Sequence, residues 1–398
     1  MSTFTERMNS ATTRFITEHT NDDPLQLMLT AHRYPEVDMQ WAVRQIAARQ
    51  RIRYKLPEFY SHTEIQYPQQ LSLEQCSSEQ TARHKAGLVT GQTLVDLTGG
   101  FGIDFYYMAK ERVESFYVER QAELCEIAEF NFKLLGLKGF TISNSSAENY
   151  LRLMKNVDCI YLDPHRRDTS GRKTVLISDC EPDLRQLLPE LFEKSKKILI
   201  KLSPMLDLQR ALIDLPYTQQ IDIIAVENEC KELLFLLDKS TSRENVKIRC
   251  FNYHKNKPVQ QFDLKGLDDT VPVSYASYPL EYIYEPNVSV LKSGAYNRIA
   301  KQFDLLKFHP NTHLYTSSHY FNEFPGRVFK LTEYRVSSKE TFSYLNITYK
   351  SANISVRNFP LSSDELRKKT KLKDGGEWSI FAFKNIENQN IITISRKV

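Results

Sequence analysis

One stretch limits what this chain can fold into more than any other: Leu94-Val95-Asp96-Leu97-Thr98-Gly99-Gly100-Phe101-Gly102-Ile103-Asp104. An apolar run ends in an acid, passes through glycines, and opens into the helix-like Phe105-Tyr106-Tyr107-Met108-Ala109. A strand that turns through glycines into a helix start lets a nucleotide approach backbone N–H groups, and it commits the chain around it to an α/β architecture.

The flanking pattern agrees. Strand-like runs at 93–97, 114–118, 140–142, 158–162 and 197–202 alternate with helical patterns at 104–110, 122–135 and 184–193. Two last runs, 221–226 and 233–237, are separated only by Glu227-Asn228-Glu229-Cys230-Lys231-Glu232, too little chain for a crossover helix, so they are expected to be antiparallel. The expected fold is a Rossmann-like doubly wound sheet with an antiparallel last strand. Ligands of such sheets sit at the carboxyl ends of the strands. Asp96, Glu119, Ser146, Asp163, Ser203 and Glu227 all fall there.

At 398 residues the chain is expected to hold two or three domains. Residues 1–85 read as a helical region, with Pro24 in the first turn of one helix and Ser78 capping another that ends in Arg83-His84-Lys85. That last helix either places its cations at its own C-terminal end or lies over the cofactor. After about residue 245 the character becomes α+β. Runs at 247–253, 327–335, 342–350, 354–356, 378–384 and 391–396 read as strands, 256–271 as a polar connection, 287–308 as a strand then a helix, and 362–372 as a basic helix. The start of the chain lacks a basic-then-apolar leader and no apolar run nears bilayer length, so a cytoplasmic protein without a membrane span is expected. The six cysteines are scattered with no C-x-x-C pair, and His309, His313 and His319 have no Cys or acid cluster beside them, so neither a disulfide framework nor a metal site is expected. Charge is uneven: from Arg327 onward there are 14 Lys and Arg against seven Asp and Glu, whereas the rest is slightly acidic. A basic end on an acidic body suits a polyanion.

A dinucleotide fingerprint needs a third glycine for close helix packing, and counting from Gly100 that place is Phe105. No Gly-Lys-Ser/Thr follows, which excludes a Walker loop. An acid at Asp96 is a poor neighbour for phosphate and a good one for ammonium, which points to the cationic methionyl end of S-adenosylmethionine. Glu119, 20 residues after Gly99, is placed to accept both hydrogens of a ribose diol. The fourth strand ends at Asp163-Pro164-His165-Arg166-Arg167-Asp168, where the proline cannot donate to a ladder and turns the next residues into the cleft. Asp163 would orient a substrate amine towards the methyl group, a reaction in which positioning supplies most of the catalysis. His165 is an optional base, and Arg166 and Arg167 suit a phosphate.

Together Asp96–Asp104, Glu119 and Asp163-Pro164 resemble class I S-adenosylmethionine-dependent methyltransferases. The stretch 163–167, with Gly171-Arg172-Lys173, Asp179-Cys180-Glu181-Pro182, 201–207, Glu229-Cys230-Lys231-Glu232, Phe324-Pro325-Gly326-Arg327, Leu366-Arg367-Lys368-Lys369 and Lys373-Asp374-Gly375-Gly376, resembles the bacterial group with a C-terminal THUMP-like domain. The resemblance implies a helical region (1–85), a methyltransferase domain (86–265), a small ferredoxin-like domain (266–324) and a THUMP-like domain (325–398). It also implies a structured RNA as substrate, tRNA or rRNA. The cofactor site would take Asp96, Thr98, Gly99, Gly100, Phe101, Gly102, Asp104, Glu119, Arg120, Ser146, Ala147 and Asp163. Catalysis would fall to Asp163, Pro164, His165 and Arg166. RNA would meet Arg166, Arg167, Lys201, Arg327, Arg367, Lys368 and Lys369. Amino-methylating relatives carry an aromatic residue two places after the proline, where this chain has Arg166, whose plane can also stack on a base. The alternatives are a methyltransferase of small molecules or proteins, and a non-catalytic RNA-binding protein.

Overall fold

The structure is a computed structural model that describes residues 7, 9–166, 176–240 and 246–398, with only the backbone of Arg166. Arg167 and the expected Gly171-Arg172-Lys173 motif lie outside the described residues. The chain divides into two compact units, Met1–Gln219 with Leu234–Arg243, and Gln220–Leu233 with Glu244–Val398.

The first unit opens with helices α1 (Ser10–Glu18), α2 (Pro24–Leu29), α3 (Met39–Ile52), α4 (Pro57–Ser61), α5 (Gln70–Gln75) and α6 (Glu79–Ala86). Four starts are capped by side chains that accept an amide hydrogen two or three residues on: Asn9, Asp23, Asp38 and Ser78. The alternating part continues with β1 (Thr93–Asp96), α7 (Ile103–Ala109), β2 (Glu114–Glu119), α8 (Ala122–Leu134), β3 (Phe140–Asn144), α9 (Ala147–Leu153) and β4 (Cys159–Leu162). A short antiparallel ribbon, β5 (His165–Arg166) with β6 (Cys180–Glu181), precedes α10 (Leu184–Lys194), β7 (Lys197–Leu202) and α11 (Leu208–Asp214). The hairpin β8 (Thr218–Val226) and β9 (Glu229–Asp238) closes the series, with its residues Gln220–Leu233 belonging to the second unit. In this unit the strand order is β9-β7-β4-β1-β2-β3, with β7, β4, β1, β2 and β3 parallel. The helical region and the sheet share one core, in which Trp41, Phe59 and Tyr67 join Phe101, Phe105, Tyr117 and Phe132. Glu58 fastens the two parts by accepting from the hydroxyls of Tyr106 and Tyr107, both at 2.9 Å, and pairing with Arg83 and Lys110.

The hairpin turn is tighter than expected. Only Glu227 and Asn228 form it, with φ of 50° and 61°. Two left-handed residues between antiparallel strands make the turn whose twist matches the strands, so Glu229 to Glu232 lie in β9 rather than in a loop.

The second unit adds β10 (Lys247–His254), parallel to β8, and β11 (Lys257–Lys265), antiparallel to β10. β11 lies where a polar connection was expected. It is an edge strand with Phe262 as its buried side chain, so the apolar alternation that marks a strand is missing. A seven-stranded sheet comes next, built from β12 (Tyr282–Pro286), β13 (Leu306–His309), β14 (Thr312–Ser317), β15 (Gly326–Val336), β16 (Asn353–Arg357), β17 (Trp378–Lys384) and β18 (Asn390–Lys397). Its order is β13-β14-β12-β15-β18-β17-β16, and β16–β17 is its parallel pair. Helices α12 (Val288–Ser293) and α13 (Tyr296–Gln302) connect β12 to β13; the strand expected within 287–308 lies just before it. Residues 342–350, rich in β-formers, are largely helix α14 (Lys339–Thr348), because Ser338 caps it through the Thr341 amide and Thr341 and Leu345 recur on one buried face. The basic helix α15 (Ser363–Thr370) has a capping box between Ser362 and Glu365.

Candidate active site

The glycine turn is shaped by what packs beneath it. Gly99 donates to the Val118 carbonyl at 2.9 Å, and a Cβ there would lie 2.2 Å from the Tyr117 ring. Gly102 has φ +86°, and its Cβ would meet Phe132 at 2.6 Å. The Tyr117 hydroxyl donates to the Gly100 carbonyl, holding the turn from below. Gly100 itself, at φ +55°, would present a Cβ with no atom closer than 3.8 Å. Phe101 turns away from the loop into the core, with ring centroids 6.0 Å from Phe59 and 6.1 Å from Tyr67.

Three acids lie at the strand ends and a fourth, Asp104, in the first turn of α7. Glu119, buried at the end of β2, accepts from the Gly100 amide on Oε2 at 3.0 Å and from the Gln121 amide on Oε1 at 2.8 Å. A carboxylate offers about four lone-pair sites, so each oxygen keeps capacity for one more donor. Asp96 accepts on Oδ1 from the Thr98 amide at 2.9 Å and from its hydroxyl at 3.4 Å. Burial pushes the Asp96 carboxyl well above the ordinary carboxylate range; the Thr98 amide opposes this, and the charges of Asp104, Asp163 and Glu119 add to it. The same Thr98 hydroxyl accepts from the Asp163 amide at 2.6 Å, so one side chain ties the end of β1 to the end of β4. The Asp163 carboxylate receives Lys201 Nζ from the penultimate residue of β7 at 2.5 Å. Lys201, expected to meet RNA, is thus mostly buried and engaged inside the site.

Asp104, in the first turn of α7, has three partners. Lys85 Nζ lies 3.2 Å from Oδ1, while the Ser77 and Tyr161 hydroxyls each donate to Oδ2 at 2.8 Å. Burial alone would raise its carboxyl, but Lys85 and Lys201, with those two hydrogen bonds, hold it below the ordinary value. Lys85 is fully buried. The sequence places Lys85 among the cations that end this helix but not in the site; the signal for its buried partner is that Thr81, Ala82 and Lys85 share the buried face of α6. The helix therefore braces the exit of the glycine turn, while Arg83 at its exposed side pairs with Glu79 and Glu58.

The remaining candidates are spread over both units. Arg120 pairs with Glu181 of β6 at 2.6 Å, linking the end of β2 to the ribbon. Ser146 caps α9 by accepting from the Asn149 amide, and Ala147 is buried behind it. Pro164 is buried and His165 exposed, on the ribbon. In the second unit Arg327 pairs with Glu285, and Arg367 is bonded to Asp374 at 2.6 Å and to the Ala352 carbonyl. Lys368 and Lys369 lie in the last turn of α15. Among the described residues no group of three His, Cys, Asp or Glu side chains is placed to hold a metal, and no helix is long and apolar enough to cross a membrane.

Over its length the chain is 34% identical to a protein of Porphyromonas gingivalis W83 assigned as a methyltransferase, covering 98% of both chains with a TM-score of 0.89. The chain belongs to that protein's family. Within the family architecture, residues 282–325 match the ferredoxin-like domain and residues 326–397 the THUMP domain-like family. Part of the chain is similar to an rRNA methylase from Streptococcus thermophilus, at 13% identity over 41% of this chain and 96% of that one, with a TM-score of 0.32. Another partial likeness is to M. capricolum TrmK in complex with S-adenosylhomocysteine, at 13% identity over 45% and 71%, with a TM-score of 0.31. No curated protein matches the chain.

Proposed function

We propose that this protein is an S-adenosylmethionine-dependent methyltransferase that modifies a base of structured RNA. The observation that carries the reading is the Thr98 link: its hydroxyl joins Asp96, beside the glycine turn, to the backbone of Asp163 at the end of the neighbouring strand. An acid suited to a cationic amine and an acid suited to an acceptor are thereby held on adjacent parallel strands. Glu119, with spare lone pairs on both oxygens, is suited to a ribose diol, and the open side of Gly100 to the flat faces of a nucleoside. The cofactor supplies an electrophilic methyl group. Asp163, held by Lys201, accepts hydrogen bonds from the acceptor and aligns its lone pair, and the in-line geometry provides the rate. The proton lost by the acceptor leaves late, so no strong base is needed. The THUMP-like match and the basic end of the chain support RNA as substrate.

Titration calorimetry with S-adenosylhomocysteine tests the cofactor: binding is expected for the wild type, and its absence would overturn the reading. Mass spectrometry of nucleosides from tRNA and rRNA of a strain lacking the protein tests the substrate. A methylated nucleoside is expected to disappear. An unchanged RNA profile alongside intact cofactor binding would point to a small-molecule or protein acceptor.

A further inference from the structure

The basic excess of the C-terminal sheet has a focus that differs from the basic helix. Glu285 of β12 is 3% exposed, yet it holds two arginines whose side chains are 43% and 36% exposed. Arg327, its cross-strand neighbour on β15, donates from Nε at 2.7 Å and from a second nitrogen to the same oxygen. Arg357, at the end of β16, donates to the other oxygen at 2.8 Å and to the Val356 carbonyl at 2.9 Å. Two further cations belong to the same cluster. Lys397 of β18 sits diagonally across from Arg327, through the Phe329–Lys397 pair. Lys257 begins β11, a strand held beside the start of β15 by the Gln260 bond to the Gly326 carbonyl at 2.7 Å. Burial and the charges of Lys257 and Arg327 hold the Lys397 ammonium below its ordinary value.

We infer that Arg327, Arg357, Lys397 and Lys257 form a phosphodiester-binding subsite for the RNA substrate, with buried Glu285 as the clamp that orients both guanidinium groups. The inference rests on the RNA reading above. A guanidinium carries five donors, so each arginine keeps N–H groups directed away from the carboxylate. Side chains of this length lose rotamer entropy on binding, and a clamp that holds them beforehand removes that cost from the binding step. Two arginines on one buried carboxylate, with two lysines from neighbouring strands beside them, exceed what a single ligand carboxylate needs and match a backbone of repeated charges.

The test is binding of bulk tRNA to the full-length protein between about 50 and 200 mM salt, with S-adenosylhomocysteine titration run alongside. Removing one phosphate neutralisation flattens the log–log salt slope by about 0.7 to 0.9, so Arg327→Gln/Arg357→Gln is expected to flatten it by roughly 1.5 and weaken binding about tenfold or more. Lys257→Gln/Lys397→Gln should act the same way and keeps the test open if the first variant folds poorly. The charge-matched Lys339→Gln/Lys350→Gln should change both quantities less. Glu285→Gln adds net positive charge but frees the arginines, and it is expected to weaken binding. Equal slopes for wild type and both cluster variants would overturn the subsite while leaving the RNA reading standing, as would tighter binding by Glu285→Gln for the clamp. A wild type that binds inorganic phosphate but no tRNA would overturn the RNA reading itself.

Discussion

At the scale of single residues, the proposed chemistry depends on how few groups carry it. Asp163→Asn keeps the size and the Thr98 contact but loses the charge that Lys201 holds, and methyl transfer is expected to fall about 100-fold with S-adenosylhomocysteine affinity changed far less. Single-turnover rates beside calorimetry separate the two. Lys201→Met is expected to act in the same direction, because it leaves Asp163 without its partner. Asp96 makes a different prediction. Its carboxyl is raised, so as pH climbs from the ordinary carboxylate range towards that raised value the unfolded chain gives up the proton first. Folded-state stability is therefore lost with rising pH over that window, and Asp96→Asn removes the loss. The urea midpoint of Asp96→Asn relative to wild type should rise as pH climbs above the ordinary carboxylate range; a constant difference would contradict it. These acids were legible in the sequence because each closes an apolar run. Lys201 was legible as a strand-end cation, but its partner was not, since the distance from β4 to β7 is set only when the strands pair.

At the scale of elements, the glycine turn and α6 act as one support. Gly99→Ala places a methyl group into the Tyr117 ring and is expected to cost about 2 kcal/mol, together with the Gly100 contact to Glu119. Thermal melting and S-adenosylhomocysteine affinity should decline together. Lys85→Met leaves Asp104 buried beside two hydroxyls with no cation at 3.2 Å, and about 3 kcal/mol of stability should disappear. Chemical denaturation measures it, and Lys85→Met/Asp104→Asn should recover part of the loss because the uncompensated charge is gone. The starts of α2 and α6 could be read locally, since a cap is a contact over three residues. Strand β11 and helix α14 could not be read in that way. An edge strand has only one paired side and hides few apolar groups, and α14 is written in β-branched and aromatic residues whose burial against the sheet outweighs their propensity.

At the scale of the molecule, the two family matches meet inside one sheet. Strand β12 pairs with β15 along Tyr282–Lys330 to Pro286–Gly326, and Ile283, Phe308 and Leu314 share a core with Phe329, Phe381, Phe383 and Ile391. A chain ended at Phe324 is therefore expected to expose that half-core and aggregate, which gel filtration beside the full-length protein would show; a monomeric, cooperatively melting 1–324 fragment would contradict it. By itself the sequence determined the strand–helix alternation, the glycine turn and the acids at the strand ends, because hydrophobic period, turn chemistry and caps act over a few residues. Only the tertiary structure decided that Lys201 belongs to Asp163, that Lys85 lies buried against Asp104, and that Arg327 shares Glu285 with Arg357. Each of these pairs joins residues far apart in the chain, and a charge reveals its partner only once folding has taken both out of water.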